Sequence, residues 1–142
     1  MKRIIAIDYG DARTGVAVSD LTGTLAGEAL TIQEWNAEKL AQRLAFFARE
    51  RDAEKFVLGL PKNMDGTEGP RAEKARQFKV LLEEASGLPV TLWDERRSTI
   101  EAHAILHAAG KKEKKHRANV DAVAATLLLE GYLTGKISPG SL

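Results

Sequence analysis

Carboxylates stand at three well-separated places beside apolar runs: Asp8 after Ile4–Ile7, the pair Asp94-Glu95 after Val90–Trp93, and Asp121 near the front of an apolar C-terminal stretch. The mouth of a buried strand is a costly position for a charge without a partner. Should the three places converge, their mutual repulsion calls for cations. Donors that are all oxygen, without His or Cys, suit Mg²⁺ or Mn²⁺. Two such ions, about 3.5–4 Å apart, can activate a water and stabilise the leaving oxygen of a phosphodiester. The chemistry these residues point to is hydrolytic phosphoryl transfer.

Each acid also has a plainer explanation. Asp8 could cap the turn that follows it. Asp121 reads as lying in the first turn of a helix, where an acid complements the helix dipole. Asp94 and Glu95 could pair at the surface with Arg96 or Arg97. The run Lys111–Arg117 holds five lysines and arginines, and such runs are usually solvated loops. Here it leads straight into Asn119 and Asp121, so its charge falls beside the acids and could hold phosphates. Arg13, in the turn after Asp8, could act likewise or could form a helix-side salt bridge. His103 and His107 have a zinc-compatible i, i+4 spacing, but no acid or third histidine completes a known motif. They read as a surface or core-edge pair.

The elements that must position these groups follow from periodicity. Ile4–Ile7 is a short β-branched run bounded by turn residues, hence a buried strand. Gly10 to Gly15 can reverse the chain. Strands at about Thr14–Ser19 and Leu25–Ile32 complete an antiparallel meander. Asn36 is suited to cap a helix running to about Arg51, with Leu40, Leu44, Phe47 and Ala48 on its inner face. Phe56–Leu60 reads as a buried parallel strand ending at Pro61. The polar loop Lys62–Pro70 is longer than a simple connection needs, which favours a functional role. A helix with Ala75, Phe78, Leu82 and Ala85 inward stops at Gly87, and Val90–Trp93 is a further strand. Ser98-Thr99-Ile100-Glu101 forms a capping box for a helix to about Ala109, stopped by Gly110. After the exposed loop Lys111–Arg117, Asn119 caps a final helix with Val120, Ala124, Leu127, Leu128 and Tyr132 inward. Three antiparallel strands followed by two in βαβ units give an α/β mixed sheet of five strands with helices on both faces. Ligands gather at the carboxyl edge of such sheets, where Asp8 and Asp94-Glu95 fall.

With 142 residues, 44% of them hydrophobic, the chain can bury a core without staples. The net charge of +1 excludes capture of a polyanion by bulk field, so a local patch must do it. The absence of cysteine excludes disulfides and thiolate metal sites and fits a reducing compartment. Met1-Lys2-Arg3 precedes an apolar run too short for a signal-peptide core, and no run approaches membrane-spanning length. A soluble, cytoplasmic protein with no membrane partner is expected: one domain over residues 1–135, then a flexible tail over 136–142.

Asp8-Tyr9-Gly10 through Arg13, Gly15–Asp20, Gly59-Leu60-Pro61, Asp65–Pro70, Asp94-Glu95-Arg96 and Asp121–Ala125 together resemble the YqgF family, also called RuvX, from Ile4 to about Leu133. The resemblance implies a ribonuclease H-like fold and a metal-dependent nuclease of the bacterial cytoplasm, maturing the 5′ end of pre-16S ribosomal RNA. The family has also been likened to Holliday-junction resolvases. By the same resemblance Asp8, Glu95 and Asp121 are the catalytic acids that hold Mg²⁺ or Mn²⁺, two ions in all, with Asp94 as the rival to Glu95. Strand alternation lets only one of that pair face the site. Arg13, Lys62, Arg71, Arg96, Lys115 and Arg117 are the candidates for the backbone of structured RNA or branched DNA. Arg97-Ser98 departs from the usual family pattern and leaves the acids untouched. A resolvase would act as a symmetric homodimer, whereas a processing nuclease could be monomeric. Two other classes share the scaffold. An actin-like ATPase needs two such halves, and a non-catalytic RNA- or protein-binding module would keep its affinity without the acids.

Overall fold

Ile4 to Ile7, all essentially buried, form the middle of a sheet that helices cover on both faces. The computed structural model describes residues 2–23, 26–63, 65–94 and 113–137, apart from the side chains of 113–120, 136 and 137. The order is β1 (Arg3–Asp8), β2 (Arg13–Ser19), β3 (Ala26–Gln33), α1 (Ala37–Glu50), β4 (Ala53–Leu60), α2 (Pro70–Ser86), β5 (Val90–Asp94) and α3 (Glu113–Ile137). The five strands lie in the order β3-β2-β1-β4-β5. β1 pairs antiparallel with β2 and β2 with β3, while β4 runs parallel to both β1 and β5. The expected mixed five-stranded sheet is the one observed.

Alternation along the strands sorts two cores. Ile5 and Ile7 pack with Leu58, Leu40, Leu44, Phe78 and Leu82 on the α1/α2 face. Ile4 and Ala6 pack with Ala17, Val57, Leu128 and Leu129 on the α3 face. Asp8 has the parity of Ile4 and Ala6 and so falls on the α3 side. Local signals set the helix ends. The Asn36 side chain accepts from the Lys39 amide at 2.9 Å, satisfying one of the free donors of α1. Gly87 closes α2 at φ 72 with its amide on the Glu83 carbonyl, a conformation that favours glycine. The buried Ser19 hydroxyl accepts from the Ile4 amide at 2.8 Å, tying down the start of β1 where the β2–β3 register shifts.

The structure corrects two boundaries. β4 begins at Ala53 rather than Phe56, because Asp52 turns the chain at φ 52 and Ala53 and Lys55 already pair with Arg3 and Ile4. The exposed loop expected over Lys111–Arg117 is helical from Glu113, and Asn119 lies inside α3 rather than capping it. Lysine, glutamate, arginine and alanine are good helix formers, and a charged helical turn looks the same in composition as a solvated loop. The helix expected over Ser98–Ala109, residues Lys111 and Lys112, the histidines 103 and 107, and the tail from Ser138 to Leu142 lie outside the described residues. Among the described residues, no helix is long and apolar enough to cross a membrane.

Candidate metal centre

Asp8 is the last residue of the central strand and sits opposite Gly15 of β2. A glycine inside a strand often marks a close backbone approach, and here the neighbour is α3. A Cβ on Gly15 would collide with the Asp121 carbonyl and lie 3.2 Å from its Cα. The missing side chain therefore lets the helix cross β2 in direct backbone contact, one strand away from Asp8. Asp121 continues the inward stripe of α3 by one turn, ahead of Ala124, Ala125, Leu128, Leu129, Tyr132 and Leu133. This stripe is wider than expected, since Ala125, Leu129 and Leu133 join it and Leu127 is only half buried. Asp121 stands eight residues after the start of α3, beyond the first turn where the helix dipole acts. The dipole explanation of this acid is therefore removed.

The side chain of Asp121 is only 19% exposed. Its Oδ2 is buried without a hydrogen-bond partner, and the Arg13 Nε lies 3.4 Å from it. Burial pushes the Asp121 carboxyl above the ordinary aspartate value, Arg13 pulls it back, and the charge of Asp8 pushes it up again. Arg13 shares the strand parity of Gly15 and Ala17, which puts it on the α3 side of β2. Two carboxylates brought to one strand end, one with a buried oxygen that has an ion pair but no hydrogen bond, make an arrangement that a hard cation would relieve. The donor set, all oxygen, fits Mg²⁺ or Mn²⁺. Among the described residues, no three His, Cys, Asp or Glu side chains gather into a metal-holding cluster; Glu95 lies outside those residues.

The remaining candidates are scattered. Asp94 is exposed at the end of β5, opposite Leu60. It shares the parity of Leu92, which packs on the α1/α2 core, whereas Trp93 packs on the α3 core. Lys62 bridges to Glu68 across the loop after β4. That loop is closed by Asn63 N–H to the Thr67 carbonyl at 2.8 Å and by Asp65 Oδ1 accepting from the Thr67 amide at 2.9 Å. Arg71 is exposed in the first turn of α2. Arg96 lies outside the described residues, as do the side chains of Lys115 and Arg117. The role of Gly15 was not foreseen, although its place within an apolar strand was the available signal.

A family model described as RuvX: Holliday junction resolvase matches residues 2–135. The chain belongs to the RuvX family. One RuvX relative, from Halothermothrix orenii, is 43% identical over 132 residues, covering 92% of this chain and 94% of the relative. Another, from Clostridioides difficile, is 41% identical over 136 residues and covers 96% of both chains. Each is named "Putative pre-16S rRNA nuclease". Among solved structures, Thermus thermophilus RuvC in complex with a Holliday junction substrate matches with a TM-score of 0.56 at 14% identity, covering 97% of each chain. Fowlpox virus resolvase with its Holliday junction DNA matches at 0.58 and 13%, covering 96% of this chain and 99% of that one. At such low identity these matches show the fold, which is ribonuclease H-like as expected.

Proposed function

We propose that this RuvX protein is a divalent-metal-dependent endonuclease of the cytoplasm that cuts structured nucleic acid, with 5′-end maturation of pre-16S rRNA as its task. What supports the reading is that Asp8 sits opposite Gly15 and Gly15 lies directly against the Asp121 backbone, with a buried oxygen of Asp121 lacking a hydrogen bond. The names of the curated relatives support the RNA substrate. Bound Mg²⁺ or Mn²⁺, two ions in the full site, would polarise the phosphodiester and lower the pKa of an attacking water. Asp8 and Asp121 would hold the metal through carboxylate oxygens. Arg13, with its Nε 3.4 Å from Asp121, would offset part of the charge of that carboxylate and would be placed to meet a substrate phosphate.

Glu95 is the third ligand in this reading, and the parity of β5 supports it over Asp94. Asp94 shares the parity of Leu92 and the α1/α2 face, the side of the sheet away from Asp8 and Asp121, which leaves Glu95 as the acid of the pair for this role. Lys62, Arg71, Arg96, Lys115 and Arg117 would contact the phosphate backbone, positioning the substrate without reading its sequence.

The description of the matching family model favours a second reading, cleavage of branched DNA by a symmetric homodimer. One experiment separates them: cleavage of precursor 16S RNA and of a four-way DNA junction by the purified protein, at fixed salt, with Mn²⁺ or Mg²⁺. Selective cutting of the RNA is expected. Selective cutting of the junction would replace the first reading with the second, and metal-independent or absent cutting of both would end the nuclease proposal in favour of a non-catalytic binding module.

A further inference from the structure

A cleft opens on the opposite side of the same strand end. Tyr9, Asp11, Trp35, Lys74, Gln77 and Phe78 line it, and it encloses about 460 Å³, within the usual range for small-ligand sites. Tyr9 follows Asp8 and turns to the α1/α2 face, where its ring lies flat on Phe78 with centroids 4.3 Å apart and planes within 5°. This stacking fixes one wall of the cleft. Trp35 forms the other lip, and its backbone is anchored to the β1–β2 turn by the Glu34 amide, which donates to the Ala12 carbonyl at 2.9 Å.

The exposure of Trp35 calls for a reason. An apolar residue just before a helix cap ordinarily packs on the fourth residue of the helix. That residue is Leu40, fully buried without help from Trp35, which remains 75% exposed. Packing therefore does not account for the indole. Its neighbours are amphiphilic in a particular way. Gln77 offers an amide donor and acceptor, and its Nε2 donates to Glu73 at 3.3 Å. Lys74 pairs with Asp11 at 3.3 Å between two well-exposed side chains, a contact of little strength that a phosphate could displace. Flat aromatic surface, an amide and a displaceable cation match a nucleotide, which has a π face, a polar base edge and a charged phosphate.

Resting on the nuclease reading of Asp8 and Asp121, we propose that this cleft takes one unpaired base of the substrate strand, stacked on Trp35, from a nucleotide next to the phosphate that is cut. Asp8 and Tyr9 are consecutive residues at the same strand end, so a strand held at Asp8 can reach over the sheet edge into the cleft. That continuity selects a nucleic-acid strand over a peptide or a free metabolite. The substrate class narrows accordingly, to structured nucleic acid with an unpaired nucleotide at the cut site.

The test is equilibrium binding in EDTA, where no cutting interferes. A labelled short oligouridylate and an abasic strand of the same length are compared by fluorescence anisotropy with wild-type protein, Trp35→Ala and Trp35→Phe. Wild type should prefer the base-bearing strand by roughly tenfold, the scale of one base–aromatic stack. Trp35→Ala should lose that preference with its affinity for the abasic strand unchanged, and Trp35→Phe should keep most of it. Equal affinity of wild type for both strands, or an intact preference in Trp35→Ala, overturns the proposal. Metal-dependent cutting is scored separately. A wild type that cuts, alongside a Trp35→Ala variant that still prefers bases, removes the cleft and leaves the nuclease reading standing. A wild type that never cuts removes the nuclease reading, while loss of preference in Trp35→Ala would still support a base-binding cleft.

Discussion

Asp121→Asn should raise stability without metal and lower it with metal, relative to wild type. In the metal-free protein the Asp121 carboxylate is buried beside Asp8, with an oxygen lacking a hydrogen bond. Leaving a buried polar group unsatisfied costs about 1–3 kcal/mol and more when it is charged, so a neutral amide in its place recovers part of that cost. Arg13 at 3.4 Å offsets part of this, so the low end, about 1 kcal/mol, is expected here. Asparagine keeps the shape and removes the charge, which should raise Tm in EDTA by about 4 °C for a domain of this size. The pH dependence has a definite sign. The folded-state pKa of Asp121 is raised, so between the ordinary aspartate value and that raised value the folded protein holds the extra proton. Stability then falls as pH rises through that window and is recovered as pH drops. The variant should lack this component. With a divalent ion at 100 times its Kd, wild type gains about 2.7 kcal/mol, about 10 °C on the same scale, and the variant should gain little. The order of melting temperatures therefore inverts between chelator and metal, as read by differential scanning fluorimetry with Mn²⁺ or Mg²⁺. A variant that melts below wild type in EDTA, or that responds to metal as wild type does, would refute the reasoning.

Other substitutions test the rest of the arrangement. Gly15→Ala forces a methyl group into the Asp121 backbone and should cost about 3 kcal/mol by denaturant unfolding, with activity lost even where the protein stays folded, since α3 must shift. Asp8→Asn should abolish cleavage while leaving the circular dichroism spectrum unchanged; it should also lower the pKa of Asp121 in an NMR titration, because the negative charge of Asp8 helps to raise it. Arg13→Gln should move that pKa the other way, upward, and weaken cleavage. Glu95→Gln should remove metal-dependent cutting, whereas Asp94→Asn should leave most of it; the reverse pattern would reassign the third ligand.

The sheet was legible because its signals are local. Short β-branched runs, an Asn cap at residue 36 and a stop at Gly87 depend on the residues themselves, and each appears in the structure. The start of α3 was not legible in this way, because Lys, Arg and Glu in succession serve both a solvated loop and a charged helical turn. Asp121 shows the consequence: reckoned from Asn119 it sits in a first turn, whereas from Glu113 it lies more than two turns into the helix. The crossing of α3 over β2 was illegible for a different reason. It pairs Gly15 with a residue more than a hundred positions away, and no periodicity within either segment records that contact. The exposure of Trp35 was equally hidden, since the sequence pattern alone would have let it pack on Leu40.

Gly15 ties stability and chemistry to a single backbone contact. The approach of α3 to β2 buries Leu128 and Leu129 against Ile4 and Ala6, a gain on the order of 2 kcal/mol for each large side chain. The same approach brings Asp121 within reach of the charge of Asp8, which is unfavourable for the pair on its own. In the proposed reading, the apolar stripe of α3 holds Asp121 near the like charge of Asp8, where a divalent ion would relieve their repulsion. A looser crossing would relax Asp121 into solvent and give up both the core contacts and the pre-set pair of ligands. On that reading metal affinity and helix packing depend on the same glycine, so a variant that recovers stability after Gly15→Ala by moving α3 outward should recover it without recovering activity.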